Sequence, residues 1–233
     1  AALFHLKLQK KAIEAGFILK DASPYNVQFK MGEPIFIDLL SFDDYREGSY
    51  WVAYKQFCEN FLNPLLIKAY TGVDHNQFFR GSIDGVSAHL TSNMLPLSSW
   101  LSLKTISHVH LAAWAQKRVD ATSKSTKRTL KSGISSHNLV ALWESIILFI
   151  NKLKTKKKTY WENYENNTSY NDESAIEKDR LVGNFVSKNN LQTVVDLGCN
   201  SGRYSCIAFK HGAKRVIGLD VDSGAIDKAN LDK

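Results

Sequence analysis

Apolar positions in the first part of the chain recur mostly with the spacing of amphipathic helices. Residues 2–15 place Leu3, Leu6 and Ile13 on one side, and Gly16 follows as a residue suited to a helix C-terminus. Further helices are predicted at 50–70, 75–118 and 138–153. We expect Pro64 to break or kink the first of these, because proline lacks an amide hydrogen. Three tryptophans are expected in the core: Trp100, Trp114 and Trp143.

Two short runs with strand-forming residues interrupt this helical pattern. They occupy 27–30 and 35–38 and flank the turn-forming stretch "MGEP". The sequence therefore predicts a β-hairpin within a mainly helical region.

From about residue 174 the pattern changes to helix, strand, glycine-rich loop, helix and strand, which is the beginning of a βαβ arrangement. The predicted fold class is α/β. We predict a mainly helical lobe with a hairpin at 1–151, a basic and polar linker at 152–173, and an α/β domain at 174–233.

Composition narrows the function classes only slightly. The net charge is +7, and much of the excess lies between residues 117 and 158, especially in "KLKTKKK" at 152–158. We interpret this run as a solvated linker, because no nucleic-acid-binding signature accompanies it. No apolar run approaches the roughly 20 residues that cross a bilayer. Three cysteines without paired spacing favour a reducing, cytoplasmic location. The oligomeric state is not predicted.

The stretch "VVDLGCNSGRYS", residues 194–205, carries the clearest chemistry. A β-branched strand ends at Asp196, and Gly198 and Gly202 would let a ligand approach the backbone closely. Asp220, at the end of the second strand "RVIGLD", is suited to accept the hydroxyl hydrogens of a ribose. The dinucleotide pattern G-x-G-x-x-G is absent, because Asn200 stands in the middle position.

These residues resemble the first two motifs of class I S-adenosylmethionine-dependent methyltransferases, through "VVDLGCNSGRYS" and "GAKRVIGLDVD". The resemblance implies a Rossmann-like domain that binds S-adenosyl-L-methionine and transfers its methyl group to an unidentified acceptor. A sheet of that class has about seven strands, of which this sequence supplies two. The chain is therefore expected to be a fragment, with the acceptor-binding residues and any catalytic base downstream.

The resemblance also assigns roles within the motif. Asp196 would position the methionine end, Asp220 would bind the ribose hydroxyls, and Val221 or Asp222 would lie by the adenine. The predicted cofactor-binding set is Asp196, Gly198, Cys199, Asn200, Gly202, Asp220, Val221 and Asp222. Cys199 is expected to pack rather than react. Trp161 and Tyr164 would either cover the cofactor or pack a helix.

A second stretch, "KDASPYNVQFKMGEPIFID", resembles the catalytic loop and metal-binding aspartate of protein-kinase-like and aminoglycoside-phosphotransferase-like folds. The resemblance implies that Asp21 orients an acceptor hydroxyl as the base, while Asn26 and Asp38 hold Mg²⁺ with ATP. Leu19 replaces the usual histidine of this loop, and Leu39 follows the proposed metal ligand. The structural alternative is that Asp21 and Asn26 cap a turn.

The leading hypothesis is thus a methyltransferase dependent on S-adenosylmethionine, preceded by a kinase-like lobe. The alternatives are a phosphotransferase that uses Asp21, Asn26 and Asp38 with Mg-ATP, and a non-catalytic binding module. His108 and His110 are interpreted as structural, because two positions apart on a helix they would face different directions.

Overall fold

The computed structural model describes residues 1–121, 134–154, 159, 161 and 172–231. In these ranges the protein is mixed α/β, mainly helical, with three two-stranded sheets. It divides into two compact units, an N-terminal unit of residues 1–156 and a C-terminal unit of residues 157–233. Most of the linker predicted at 152–173, including Tyr164, lies outside the described residues.

Eight helices are described in the N-terminal unit, and those predicted at 2–15 and 138–153 are confirmed with slightly shifted ends. They are α1 Ala2–Glu14, α2 Tyr54–Phe57, α3 Asn63–Thr71, α4 Asn76–Gly81, α5 Ala88–Met94, α6 Leu103–Thr105, α7 Leu111–Ala121 and α8 Ser136–Lys152. The unit also contains short 3₁₀ and π turns. Pro24–Asn26 and Leu39–Ser41 are 3₁₀ turns between strands, Leu97–Leu101 is a 3₁₀ turn between helices, and Cys58–Leu62 and Ile106–His110 are π turns between helices. Of all the helices that the structure describes, none is both long and apolar enough to span a bilayer.

The core of the N-terminal unit includes the apolar side of α8, together with many residues of 51–67. Leu139, Trp143 and Ile146 follow one another at helical spacing and are fully buried. Ser135 caps this helix by accepting a hydrogen bond from the Asn138 amide. The predicted burial of Trp143 is therefore confirmed.

The predictions for the other two tryptophans were wrong. Trp100 is 51% exposed and Trp114 is 55% exposed. Trp100 lies in the 3₁₀ turn Leu97–Leu101, and its ring stacks on His110 with 3.9 Å between the ring centroids. In this irregular turn Trp100 has no amphipathic period to indicate which side faces the core, whereas Trp114 lies on an exposed side of the regular helix α7.

The predicted helix at 50–70 is interrupted, as Pro64 suggested. The chain passes from α2 through the π turn at Cys58–Leu62 into α3, and Pro64 lies in the first turn of α3. Proline has no amide hydrogen to donate to the carbonyl four residues earlier, so the widened turn comes where the regular hydrogen-bond ladder has a gap.

Two small antiparallel sheets flank α1. Strands β1 Phe17–Leu19 and β4 Phe42–Asp44 pair with each other, an association that the sequence did not reveal. Buried Gln9 on α1 joins the helix to β1, because its side-chain amide donates to the Leu19 carbonyl at 2.9 Å and accepts from the Leu19 amide at 3.0 Å.

The predicted hairpin is confirmed, but its second strand begins two residues earlier than expected. Strands β2 Val27–Lys30 and β3 Glu33–Phe36 pair antiparallel, with Lys30 opposite Glu33. The turn consists only of Met31 and Gly32, whose φ angles are 54° and 84°. Two positive φ angles match the twist of a two-residue hairpin turn, which allows the strands to pair directly up to it.

The C-terminal unit contains the predicted strand, loop, helix and strand. Its elements are α9 Asp172–Lys188, β5 Thr193–Leu197, α10 Arg203–Lys210, β6 Arg215–Leu219 and α11 Ser223–Leu231. Strands β5 and β6 are parallel. Val186, Ala208 and Ala213 form the buried centre of this unit, with Val194 and Val216 packed against it.

Candidate functional site

Two aspartates lie at the carboxyl ends of neighbouring parallel strands in the C-terminal unit. Asp196 is opposite Gly218 in the register of β5 and β6, and Asp220 directly follows β6. The glycine-rich loop connects β5 to α10 at the same end. Ligands of open parallel α/β sheets bind outside this end of the strands.

The loop needs unusual backbone angles. Gly198 has a φ of 76° and Gly202 has a φ of 91°, values that favour glycine, and Asn200 tolerates 48° between them. The amides of Gly198 and Cys199 both donate to the Leu219 carbonyl, at 2.8 and 3.1 Å. These bonds fasten the start of the loop to the end of β6.

Asp220 fixes the middle of the same loop. One of its carboxylate oxygens accepts from the Asn200 amide and the other from the Asp222 amide, each at 2.8 Å. A carboxylate has about four lone-pair positions, so both oxygens of Asp220 keep capacity to accept from a ligand. The carboxylate of Asp196 accepts from the Ser205 hydroxyl on α10 at 2.7 Å.

The Asp222 carboxylate accepts hydrogen bonds from two parts of the unit. Thr159, in the segment that precedes α9, donates its hydroxyl at 2.6 Å, and Ala225 on α11 donates its amide at 2.9 Å. Burial alone would raise the pKa of Asp222, but these bonds and one from the Trp161 amide hold it below its ordinary value. The Trp161 carbonyl also accepts from the Asn200 side chain at 2.8 Å.

Cys199 is buried within the loop, as the sequence suggested. Burial, together with the negative charges of Asp196 and Asp220, raises the pKa of the Cys199 thiol. The thiol therefore stays protonated near neutral pH and is a poor nucleophile.

A cleft of about 450 Å³ runs along β5 and the loop. Of the predicted cofactor-binding set, it is lined by Asp196, Gly198, Cys199 and Asn200. It is not lined by Gly202, Asp220, Val221 or Asp222, although Asp220 is hydrogen-bonded to the loop that forms the wall, and Val221 is 77% exposed.

The sequence reasoning missed one wall of this cleft. Ser174, Lys178 and Val182 line it from α9. Their four-residue spacing places them on one side of that helix, and this spacing was the available signal. The Lys178 ammonium lies 4.6 Å from the centre of the Tyr204 ring, and Tyr204 itself lines the cleft.

The three residues of the predicted phosphotransfer site lie in the N-terminal unit, where Ser41 connects two of them. The Asn26 side chain donates to the Ser41 hydroxyl at 3.2 Å, and that hydroxyl donates to Asp38 at 2.6 Å. Asp21 has other partners, since its carboxylate accepts from the Ser23 amide at 2.9 Å and from the Gln56 side chain at 2.6 Å.

Two of these aspartates also cap local turns. Asp21 accepts from an amide two residues on, and Asp38 likewise accepts from the Leu40 amide at 3.0 Å. Within the described parts of the chain, no group of three or more His, Cys, Asp or Glu side chains is placed to hold a metal ion.

His108 and His110 have separate partners, in agreement with a structural role. Tyr54 contacts the Nδ1 atom of His108 at 2.6 Å, while Ser92 and Ser99 contact the two ring nitrogens of His110.

Comparison with known proteins bears on the C-terminal unit. Residues 180–232 match the family model described as "Ribosomal protein L11 methyltransferase (PrmA)". This segment is related to methyltransferases. It contains both parallel strands and the loop between β5 and α10.

Individual relatives cover the chain to different extents. Nodulation protein NoeA of Rhizobium meliloti (strain 1021) is 36% identical in an alignment of 237 positions that covers 98% of this chain and 49% of NoeA. Ribosomal protein L11 methyltransferase of Shewanella frigidimarina (strain NCIMB 400) is 50% identical over 44 residues, 18% of this chain and 15% of that protein. The same-named protein of Colwellia psychrerythraea (strain 34H / ATCC BAA-681) is 57% identical over 35 residues, 15% of this chain and 12% of that protein.

This chain therefore spans about half the length of NoeA and much smaller shares of the two methyltransferases. No solved structure matches it.

Proposed function

We propose that the C-terminal unit is part of a Rossmann-like S-adenosylmethionine-dependent methyltransferase domain. The observation that carries the proposal is the position of Asp196 and Asp220, which end adjacent parallel strands on either side of a loop that Asp220 itself holds. The match of residues 180–232 to a methyltransferase family supports the same conclusion.

The resemblance to this class of methyltransferases implies the cofactor-binding roles, and the arrangement of the site is compatible with them. Asp220 would accept the ribose hydroxyls through the remaining lone pairs of its two oxygens. Asp196, oriented by Ser205, would position the methionine end. Val221 or Asp222 would lie by the adenine, and the amides at the start of α10 would face an electron-rich group of the cofactor.

The residues at the strand ends suit such a cofactor chemically. The cleft of about 450 Å³ is lined by Asp196 but not by Asp220, so it would receive the methionine end and not the ribose. Its volume is within the range of about 300–1,000 Å³ typical of small-molecule sites. A Cβ added at Gly198 would meet no protein atom within 4 Å, so the backbone there is open to a ligand. When bound, S-adenosylmethionine would supply an electrophilic methyl group, and the role of this chain would be to hold it in line with an acceptor.

Calorimetric titration of S-adenosylmethionine into the wild type and Asp220→Asn tests this function. Losing hydrogen bonds to a charged acceptor is expected to weaken binding by about tenfold or more. Glu177→Gln is the matched control, because it removes one acidic charge from an exposed position that pairs with Arg180 on the same helix. We expect it to bind like the wild type.

Equal binding by Asp220→Asn would contradict the assigned ribose contact. The titrated protein is extended to its natural stop codon, because the sequence predicts that further strands of the sheet lie downstream. No binding by this extended wild type, once it is shown to be folded, would refute the methyltransferase proposal and favour the non-catalytic binding module. We also propose a cytoplasmic location, since all three cysteines are unpaired and two of them are buried.

Phosphotransfer by a kinase-like lobe is a second candidate, favoured by one observation. Ser41 connects Asn26 with Asp38 at the open end of the β2–β3 hairpin, although the comparisons give no support for Mg-ATP. Mg-ATP should then raise the thermal unfolding temperature of the wild type and leave Asp38→Asn unchanged. The absence of any shift in the wild type would remove this candidate.

A further inference from the structure

A cavity in the N-terminal unit lies where two π turns meet. Its volume is about 360 Å³, which is sufficient for a small molecule. One π turn contributes Cys58 and Glu59, and the other contributes His108. Single π turns are rare and occur frequently at functional sites, and two of them line this one cavity.

Asn63 borders this cavity and carries a buried acceptor without a partner. Its side-chain amide nitrogen donates to the Val86 carbonyl at 2.8 Å, which fixes the orientation of the amide. The Asn63 side-chain oxygen has no hydrogen-bond partner among the described residues, and the residue is fully buried. A buried acceptor without a partner is destabilising, and a hydrogen-bond donor on a ligand would satisfy it.

Glu59 adds a carboxylate that is only weakly compensated. Its side chain is 18% exposed, and its ion pair with Lys55 has an N···O separation of 3.8 Å, beyond hydrogen-bonding distance. The Lys55 side chain is itself 72% exposed. Burial raises the pKa of Glu59, Lys55 lowers it, and the negative charge of Asp84 raises it further. The carboxylate would therefore gain from a second cation.

The remaining polar groups favour binding over covalent chemistry. Burial raises the pKa of the Cys58 thiol to about 12, so it is not a nucleophile near neutral pH. Burial also raises the pKa of Tyr54 and lowers that of His108. We therefore assign the 2.6 Å contact to a neutral pair in which the Tyr54 hydroxyl donates to His108.

We propose that this cavity binds a small aliphatic molecule with a primary ammonium group, held by the Glu59 carboxylate and the Asn63 side-chain oxygen. Both groups only accept hydrogen bonds at these atoms, and an ammonium group has three donors and no acceptor. Ala88 and Ala112 provide apolar wall for the alkyl part. This inference is independent of the proposed methyltransferase function, because it concerns the other unit.

n-Butylamine is a suitable probe, with n-butanol as a neutral molecule of similar length. Both are titrated into the full chain while the side-chain amide signal of Asn63 is followed by NMR. We expect n-butylamine to shift this signal at concentrations at least about tenfold lower than n-butanol, because a charged donor makes the stronger hydrogen bonds.

Two variants locate the charge that matters. Glu59→Gln should weaken n-butylamine binding by about tenfold or more. Glu144→Gln should not change it, because that carboxylate is 53% exposed and pairs with Lys10 elsewhere in the same unit. No shift of the Asn63 signal, equal shifts by the two probes, or undiminished binding by a folded Glu59→Gln variant would each overturn the proposal. The probe comparison needs only the wild type, so it holds even if Glu59→Gln fails to fold.

Discussion

Replacing His5 by phenylalanine is expected to make the free energy of unfolding less dependent on pH. His5 lies on α1 with 0% of its surface exposed, among the rings of Phe36, Phe57 and Phe61. Neither ring nitrogen has a hydrogen-bond partner among the described residues. Burial lowers the pKa of His5 to about 4, even though the negative charge of Asp21 acts in the opposite direction.

The sign and size of the effect follow from proton linkage. Above about pH 6.5 the histidine is neutral in both states and contributes no pH dependence. Between pH 6.5 and 4 the unfolded chain binds a proton that the folded protein does not, so stability falls as the pH falls. With a folded-state pKa of about 4, the loss between pH 7 and pH 5 is about 2 kcal/mol.

Urea unfolding followed by tryptophan fluorescence at pH 7 and pH 5 measures this loss. The wild type should lose about 2 kcal/mol more than His5→Phe between these pH values. His89→Phe is the matched control, because His89 is exposed on α5, and it should behave like the wild type. If His5→Phe loses as much stability as the wild type, the unfavourable charging of His5 is not responsible.

Two further predictions concern packing and backbone conformation. Trp143→Ala should destabilise the protein by about 3–5 kcal/mol, because it empties a fully buried site beside Trp51. Trp100→Ala, at a half-exposed position, should cost about 1 kcal/mol. Equal losses of stability in urea unfolding would contradict this prediction. Gly202→Ala should lower stability by about 1–2 kcal/mol, because alanine is strained at the positive φ of this position. Gly81→Ala should be nearly neutral, because a Cβ at Gly81 would meet no atom within 4 Å. Equal thermal unfolding temperatures of the two variants would contradict the strain argument.

The sequence revealed those parts of the fold and site that depend on neighbouring residues. The helix at 138–153 was predictable because its apolar period is regular, and the loop at Gly198 and Gly202 because few residue types accept its backbone angles. Pairing of β1 with β4 was not predictable, because each strand has three residues and the partner is set by folding of the intervening chain.

The hydrogen-bond partners of the predicted site residues were also missed. Thr159 bonds to Asp222 across 63 positions, and nothing in either local sequence indicates the contact. Ser205 bonds to Asp196 across nine positions, on the helix that follows the loop. Residue types at strand ends indicated which groups would face a ligand, but their partners depend on tertiary structure.

The contacts made by Thr159 and Trp161 determine where a truncated protein that contains only the C-terminal unit should begin. A truncated protein beginning at Asp172 would contain every described helix and strand of the unit, yet Asp222 would lose the Thr159 hydroxyl and the Asn200 side chain would lose the Trp161 carbonyl. Gly224 packs so closely on Thr159 that a Cβ there would collide with it, and truncation would expose this surface. A clone that starts at or before residue 157 retains these contacts, so the choice of start codon determines whether the loop is studied in its intact form.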